Sequence, residues 1–551
     1  MGKGTLQLAC GGLSALAILP FLIAGLPADS QPPSVEGITA SNLKSDVYFL
    51  ASDEMGGRAT SSIHNQIASR YLAHRFERLS LNPAGEDGSY LQYFDLVQSE
   101  LSEPNRFEIL KQGSDPTVGS LEDDFYPSPL SANGKVLAPL VFAGYGISAA
   151  EHQYDDYAGI DVRHKIVLIL EHEPGEQDPQ SPFDGLVSSD YSPTRYKLLN
   201  AQQHGAVAVI LVQDIENHDN DAKFSRRMRS AWPKDESRAP QYLKVWTDSI
   251  EIPAVHISQE MASHFFENTP ISLGALQRQI DDEYRSKSFR LPKVQAYFET
   301  KRTQREERSR NVLASLPGSD SELGKEVVII GAHLDHVSGN EDTIYNGADD
   351  NASGIAGLLA IAEAFAASPE RPRRSILFAA WNAEERGLLG SYYYVVHPSF
   401  PLDQTRLMLQ MDMIGRNEEI PDSENHRFRG LTEQTAEENR NSLNVLGYSR
   451  SSDIRRLVDD SNRWIGLSLK FRYDNHSLDL LRRSDHWPFL NRGIPVAFFH
   501  TGLHPDYHRA TDTAEKINYD KMEKIVRLVF LSAWTAANAV QPPALSRVRH
   551  Q

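Results

Sequence analysis

Residues 326–335 read EVVIIGAHLD, residues 353–367 read SGIAGLLAIAEAFAA, and residues 375–384 read SILFAAWNAE. The outer two are short apolar runs and read as strands, while the longer middle stretch reads as a helix. The alternation continues downstream. GLLGSYYYVVH (387–397) reads as a helix, RLMLQMDMI (406–414) as a strand and the region from Ile454 to Trp464 as a helix. IPVAFFHT (494–501) is a further strand, and a last helix runs from about Tyr519 to Val540. Strands and helices in alternation predict an α/β fold, a mostly parallel sheet covered by helices on both faces.

In such a sheet, functional groups gather where strands end and loops begin. His333, Asp335 and His336 stand at the end of the first strand, and Asp349 and Asp350 lie in NGADDNASG just before the helix. Glu384 and Glu385 close the second strand, Asp412 closes the third, and His504 and His508 follow the last. Each has an ordinary explanation alone. Asp-Asp-Asn before a helix caps free N–H groups, and glutamates opening a helix suit its dipole. Together, five positions in a row supply the histidine and carboxylate groups that zinc accepts without cysteine. Asp349, Glu385 and Asp412 carry three negative charges. With a bridging hydroxide they would balance two divalent cations, with neutral His333 and His508 completing the shells. Without a cation, carboxylates packed this closely would repel and their pKa values would rise.

Composition narrows the function further. The chain has 551 residues, too many for one ordinary core, and a formal net charge of -18. That balance argues against nucleic-acid binding, which needs a basic face. Lys3 is the only charge before Asp29, and Leu8–Leu26 is uncharged and apolar. A basic start, an apolar run and a small residue at Ala28 predict a secretory signal, or an uncleaved membrane anchor, over residues 1–30. The expected destination is periplasmic or extracellular. Cys10 is the only cysteine and precedes the apolar run, so it does not read as a lipid site. A mature chain without it has neither disulfide nor thiolate ligand.

Upstream of the strand–helix alternation lie two further textures. Ile67, Tyr71, Leu72, Phe76 and Leu79 recur at helical spacing until LNPAGEDGSY (81–90) breaks the pattern. From Gly134, the runs KVLAPLVFAGYGI, KIVLILEH, AVAVILVQD and IEIPAVHIS read as strands, with TRYKLLNAQQHG a helix among them. This predicts a small, mostly β domain over 133–290, flanked by a catalytic domain in two parts, 31–132 and 291–551. Residues 417–442 are polar and read as a long surface excursion.

The segments GAHLDH, NGADDNASG, WNAEERGLLGS, MDMIG, RSDHWPF and DYHRATDT, in this order, closely resemble the co-catalytic zinc aminopeptidases. That family is related to glutamate carboxypeptidase, glutaminyl cyclase and the transferrin receptor ectodomain. VFAGYGI, DDYAGIDVRHKIVLIL and GAVAVILV resemble its inserted protease-associated domain. The resemblance implies two zinc ions per chain. Asp349 would bridge them, one completed by His333 and Asp412, the other by Glu385 and His508. It also implies Glu384 as general base, Asp335 as the carboxylate orienting His333, and a cis bond between Asp349 and Asp350. The expected activity is removal of N-terminal residues from peptides by a metal-bridging hydroxide. A carboxypeptidase or dipeptidase of the same family is the alternative. A receptor-like ectodomain would be expected to lose ligands or base, and none is missing here.

Overall fold

The computed structural model describes residues 1–2, 34–218, 224–235, 238–337, 339, 343–423, 425 and 427–546. Apart from Met1 and Gly2, the expected signal segment lies outside them. Among the described residues no helix is long and apolar enough to cross a membrane.

The chain opens with α1 (Ala40–Leu50) and α2 (Ile63–Arg78). Thr39 and Ser62 cap them, each side chain accepting from a backbone N–H three residues on. Leu72 and Phe76 of α2 are fully buried, but Ile67 is exposed. The inward stripe runs instead through Asn65, Ala68 and Ser69, small or polar groups that hydropathy passes over. β1 (Leu91–Leu101) then leads into a second unit.

That unit is an eight-stranded sheet. It includes β2 (Arg106–Lys111), β3 (Gly134–Phe142), β4 (Ile166–Leu170), β5 (Ala208–Val212), β6 (Ala254–Ile257) and β7 (Phe289–Thr300). β3, β4, β5 and β6 pair parallel and β7 and β2 antiparallel. β4 and β5 are buried along their whole length, between α3 (Thr194–Gln203) on one face and α4 (Leu273–Glu283) on the other. Full burial on both faces explains their unbroken Val/Ile/Leu composition. The sheet draws strands from Arg106 to Thr300, wider than the 133–290 expected. Its strands β2 and β7 are half-exposed and alternate charged with apolar residues, so hydropathy alone does not mark them.

The main sheet has ten strands. After β8 (Arg302–Leu316) come β9 (Val327–His333), α5 (Gly354–Ala367), β10 (Ser375–Trp381), α6 (Leu389–Val396) and β11 (Thr405–Met411). β12 (Ser442–Leu446), α7 (Ser452–Asn462), β13 (Val496–His500) and α8 (Tyr519–Asn538) follow. The centre β10–β9–β11–β13 is parallel, while β8 and β12 flank it antiparallel. The sheet is therefore mixed, parallel through its centre and antiparallel where β8 and β12 join it. α1, α2, α5 and α8 cover one face. Trp381, Tyr394, Trp487 and Phe489 fill the other. Truncating a fully buried residue such as Leu409 to Ala would cost roughly 2–5 kcal/mol.

The described residues of 417–442 carry little regular structure but are not a free excursion. Ile420, Phe428 and Leu431 pack on Leu503, and Glu418 is buried against Arg472, Tyr473 and Asn444. A few apolar anchors in a polar segment left no period to read.

Candidate metal centre

Parallel pairing sets the carboxyl ends of β10, β9, β11 and β13 side by side. Each delivers one part of a cluster. His333 is the last residue of β9, Asp412 follows β11 directly, and Glu384 and Glu385 follow β10 after Asn382 and Ala383. His504, Tyr507 and His508 sit on the loop after β13.

The turn before α5 supplies the centre. Asp350 Oδ1 lies 3.3 Å from His333 Nε2, and Asp350 Oδ2 lies 3.1 Å from His508 Nε2. His333 Nε2 is also 3.2 Å from Asp412 Oδ1, and His508 Nε2 is 3.1 Å from Glu385 Oε2. Asp350 thus belongs to two groups of ligand-type atoms, one with His333 and Asp412, the other with Glu385 and two imidazoles, His508 and His336. Asp349, expected in that place, turns the opposite way. Its Oδ1 accepts from Gly415 N at 2.6 Å, and its Oδ2 faces His504 Nε2 at 3.2 Å. Two consecutive aspartates cannot be told apart by charge or spacing, and only the backbone path decides which one enters. The cis bond likewise falls at Asp350–Asn351, one residue beyond the expected position.

That path is held from several sides. The Asp512 carboxylate accepts from the backbone N–H of Asp349 (3.0 and 3.1 Å) and of Asp350 (3.2 Å). Asn351 donates to Met411 O and accepts from Gly354 N. Gly347 takes φ 58°, and a Cβ there would stand 2.3 Å from Asp350 O and 2.6 Å from the His336 ring. Arg58, fully buried, donates to Leu334 O, Asn346 O, Gly347 O and Leu50 O. It ties the first helix to the two loops that carry His333 and Asp350. Nothing in its sequence surroundings marked it.

The expected roles of the outer residues shift in detail. His333 Nδ1 meets the backbone carbonyl of Asp335 at 3.0 Å, not its carboxylate. The Asp335 carboxylate accepts instead from Glu384 N (3.1 Å) and Thr60 Oγ1 (2.6 Å), so it fixes the strand end carrying Glu384. His486 is buried, 2.7 Å from Leu481 O and stacked on Phe498, and among the described residues makes no ion pair with a carboxylate. Burial pushes its pKa down to about 3. Ser484 Oγ donates to Asp412 Oδ2 at 2.7 Å, and Ser391 Oγ donates to Asp485 Oδ1 at 2.6 Å. RSDH was visible as a motif, but its serine contact was not.

The electrostatics are those of a buried anionic cluster. Burial opposes protonation of His333, but Asp412 and Glu384 outweigh it and hold its pKa well above the ordinary value. His508 is raised to about 10, burial again being overcome by Glu385 and Asp350. Burial pushes Glu384 well above the carboxylate range, with Glu385 and Asp412 adding to it. Asp350 is held well below that range against its burial by the surrounding imidazoles. A cleft lined by Asp350, Glu384, Glu385, Asp412 and His508 opens between Leu480, Arg483, Phe498 and Tyr507.

These residues fit divalent cations. Two ligand atoms each 2.0–2.2 Å from a tetrahedral zinc stand about 3.3 Å apart, the spacing seen here. Imidazole with carboxylate suits zinc.

The α/β fold thus sets a histidine–carboxylate centre of metal-ligand type at its strand ends. Residues 311–533 match the model of peptidase family M28, and residues 136–264 match that of the PA domain. Aminopeptidase YwaD of Bacillus subtilis is 24% identical over 96% of this chain and 95% of its own length. Leupeptin-inactivating enzyme 1 of Streptomyces exfoliatus is 29% identical over 37% of this chain. The match spans only 38% of that relative and 41% of leucine aminopeptidase 2 of Trichophyton rubrum. An aminopeptidase structure from Aneurinibacillus sp. strain AM-1 aligns over 93% of this chain and 96% of its own, at 22% identity and TM-score 0.48. The matched segments, residues 311–533 and 136–264, are thus similar to peptidase family M28 and to a PA domain that precedes it in the chain.

Proposed function

We propose that this protein is an exported zinc aminopeptidase that binds two zinc ions through His333, Asp350, Asp412, Glu385 and His508. The observation that carries the reading is the division of Asp350, one oxygen toward His333 and the other toward His508. Relatives named as aminopeptidases support the substrate end chosen, and the apolar first thirty residues support export. Bound zinc would supply Lewis acidity, lowering the pKa of a water and polarising the scissile carbonyl. Glu384, on the cleft wall with Oε2 3.9 Å from His333 Nε2, would take the proton of the attacking water and return it to the leaving amine.

The test is hydrolysis of free and N-blocked peptides by the mature chain, before and after chelation and zinc return. Cleavage confined to free N-termini, lost with chelator and restored by zinc, supports the reading. Cleavage of N-blocked peptides overturns it. Arg483 on the cleft wall favours one second reading, a dipeptidase that pairs the guanidinium with a substrate carboxylate. A strong preference for dipeptides over dipeptide amides would identify that case.

A further inference from the structure

A second histidine–carboxylate cluster lies in the inserted domain, remote in sequence from the centre above. It forms at the carboxyl ends of β4 and β5, two neighbouring parallel strands. His172 and Glu176 follow β4, and Asp214 and His218 follow β5. Their four ligand atoms all lie within 4.8 Å of one another. Glu176 stands in the middle, Oε2 at 3.1 Å from His172 Nδ1 and Oε1 at 2.5 Å from His218 Nε2. Asp214 closes the set, 3.7 Å from His218 Nε2.

The Asp214 side chain is 0% exposed and Glu176 16%. Asp214 Oδ1 accepts from Asn217 N, but buried Oδ2 points into the cluster with no hydrogen-bond partner. A buried unpaired carboxylate oxygen is costly unless a cation or donor meets it. Among the described residues no Lys or Arg makes an ion pair with either carboxylate. The nearby arginines are engaged elsewhere, Arg227 with Glu171 and Arg278 with Glu216. Protonated imidazoles alone would satisfy Glu176 but leave Asp214 Oδ2 as it is.

We propose that His172, Glu176, Asp214 and His218 form a third, structural site for a zinc-type divalent cation. Two carboxylates and two neutral imidazoles balance one such cation and complete a tetrahedral shell. The imidazoles disfavour calcium and magnesium, which take oxygen ligands. The site fastens the start of a loop that reaches the peptidase domain. There, Asn475 donates to Pro179 O and accepts from Leu186 N, and Arg450 pairs with Asp184 at 2.9 Å. A cation at the root of this loop would stiffen the contact between the two domains.

The site can be tested independently of the peptidase reading. The full mature chain carrying Asp350→Ala, which disables the first centre, is titrated with Zn²⁺ by calorimetry and by thermal unfolding. Saturation at about one zinc per chain with a rise in Tm is expected. Adding His172→Ala and His218→Ala should weaken that binding at least a hundredfold and abolish the rise. Absence of a saturable zinc site in the Asp350→Ala chain overturns the proposal. So does zinc binding undiminished in the triple variant, or calcium binding as tightly as zinc. Should the triple variant not fold, X-ray absorption of the zinc-loaded Asp350→Ala chain decides. A shell of two imidazoles and two oxygens supports the site, and any other overturns it.

Discussion

Asp349 and Asp350 are neighbours whose carboxylates serve opposite sides of one turn. Asp350 stands between His333 and His508, while Asp349 accepts from Gly415 N and faces buried His504. The pair separates binding from support. Asp350→Ala should abolish binding of both metals, because it removes a ligand shared by both groups. Asp349→Ala should leave metal stoichiometry unchanged and cost about 1–3 kcal/mol, since it orphans the buried Gly415 N–H. Metal analysis and thermal unfolding of the two variants check this. Equal metal loss in both would show that the turn acts as one unit.

Glu384 is predicted to act on protons rather than metal. Glu384→Ala should keep the metal content of the native chain and lower kcat by roughly a hundredfold or more. Steady-state kinetics beside metal analysis distinguish the cases, and retained turnover would remove Glu384 from the role.

Most of the site was legible because its chemistry sits at strand ends, and the apolar runs of β9, β10, β11 and β13 announce those ends. The structure brings His333, Glu385, Asp412 and His508 together at those ends, and Glu384 faces the same cleft. What failed was finer than an element boundary. Asp349 and Asp350 differ only in backbone direction, and the partner of His333 is a carbonyl that no side-chain pattern reveals. Arg58 acts over nearly three hundred residues of sequence, and long-range contacts of that kind leave no local period. β2 and β7 went unread because half-exposed strands in charged sequence show no apolar run.

Ser484 tests how much support behind a ligand matters. Its hydroxyl donates to Asp412 Oδ2 at 2.7 Å and accepts from Gln410 Nε2 at 3.1 Å. Ser484→Ala should lower zinc affinity about 10–100-fold, as loss of a ligand's orienting partner commonly does. Competition with a chelator of known affinity measures it. An unchanged affinity would mean that Asp412 is held well enough by its own backbone.

Arg58 should be among the costliest surface-remote positions to change. Its guanidinium is fully buried, and four backbone carbonyls accept from it. Burial lowers its pKa to about 10, against the pull of Asp350, Asp512, Asp335 and Glu385, so it stays charged at neutral pH. Arg58→Ala would leave those carbonyls unsatisfied and is expected to cost at least about 3 kcal/mol. Arg58→Lys should recover only part of it, since an ammonium cannot span the same fork. Chemical denaturation of both variants, with metal content measured alongside, separates loss of stability from loss of the site.

The inserted domain carries a pH dependence of its own in Asp156. This carboxylate is fully buried and accepts from Tyr145 N, Ile147 N and Tyr154 Oη. Burial raises its pKa from 3.8 to about 7, although those hydrogen bonds and Lys197 oppose the rise. The native state therefore holds this proton more tightly than the unfolded chain. The resulting stabilisation is complete below pH 3.8 and disappears as pH rises through about 7. Other groups titrate in the same window, so the informative quantity is a difference. Between pH 5 and 7.5 the native chain should lose more stability than Asp156→Asn, by roughly 1–3 kcal/mol. Denaturant unfolding of both at the two pH values measures it. Parallel losses would show that Asp156 keeps an ordinary pKa in the folded domain.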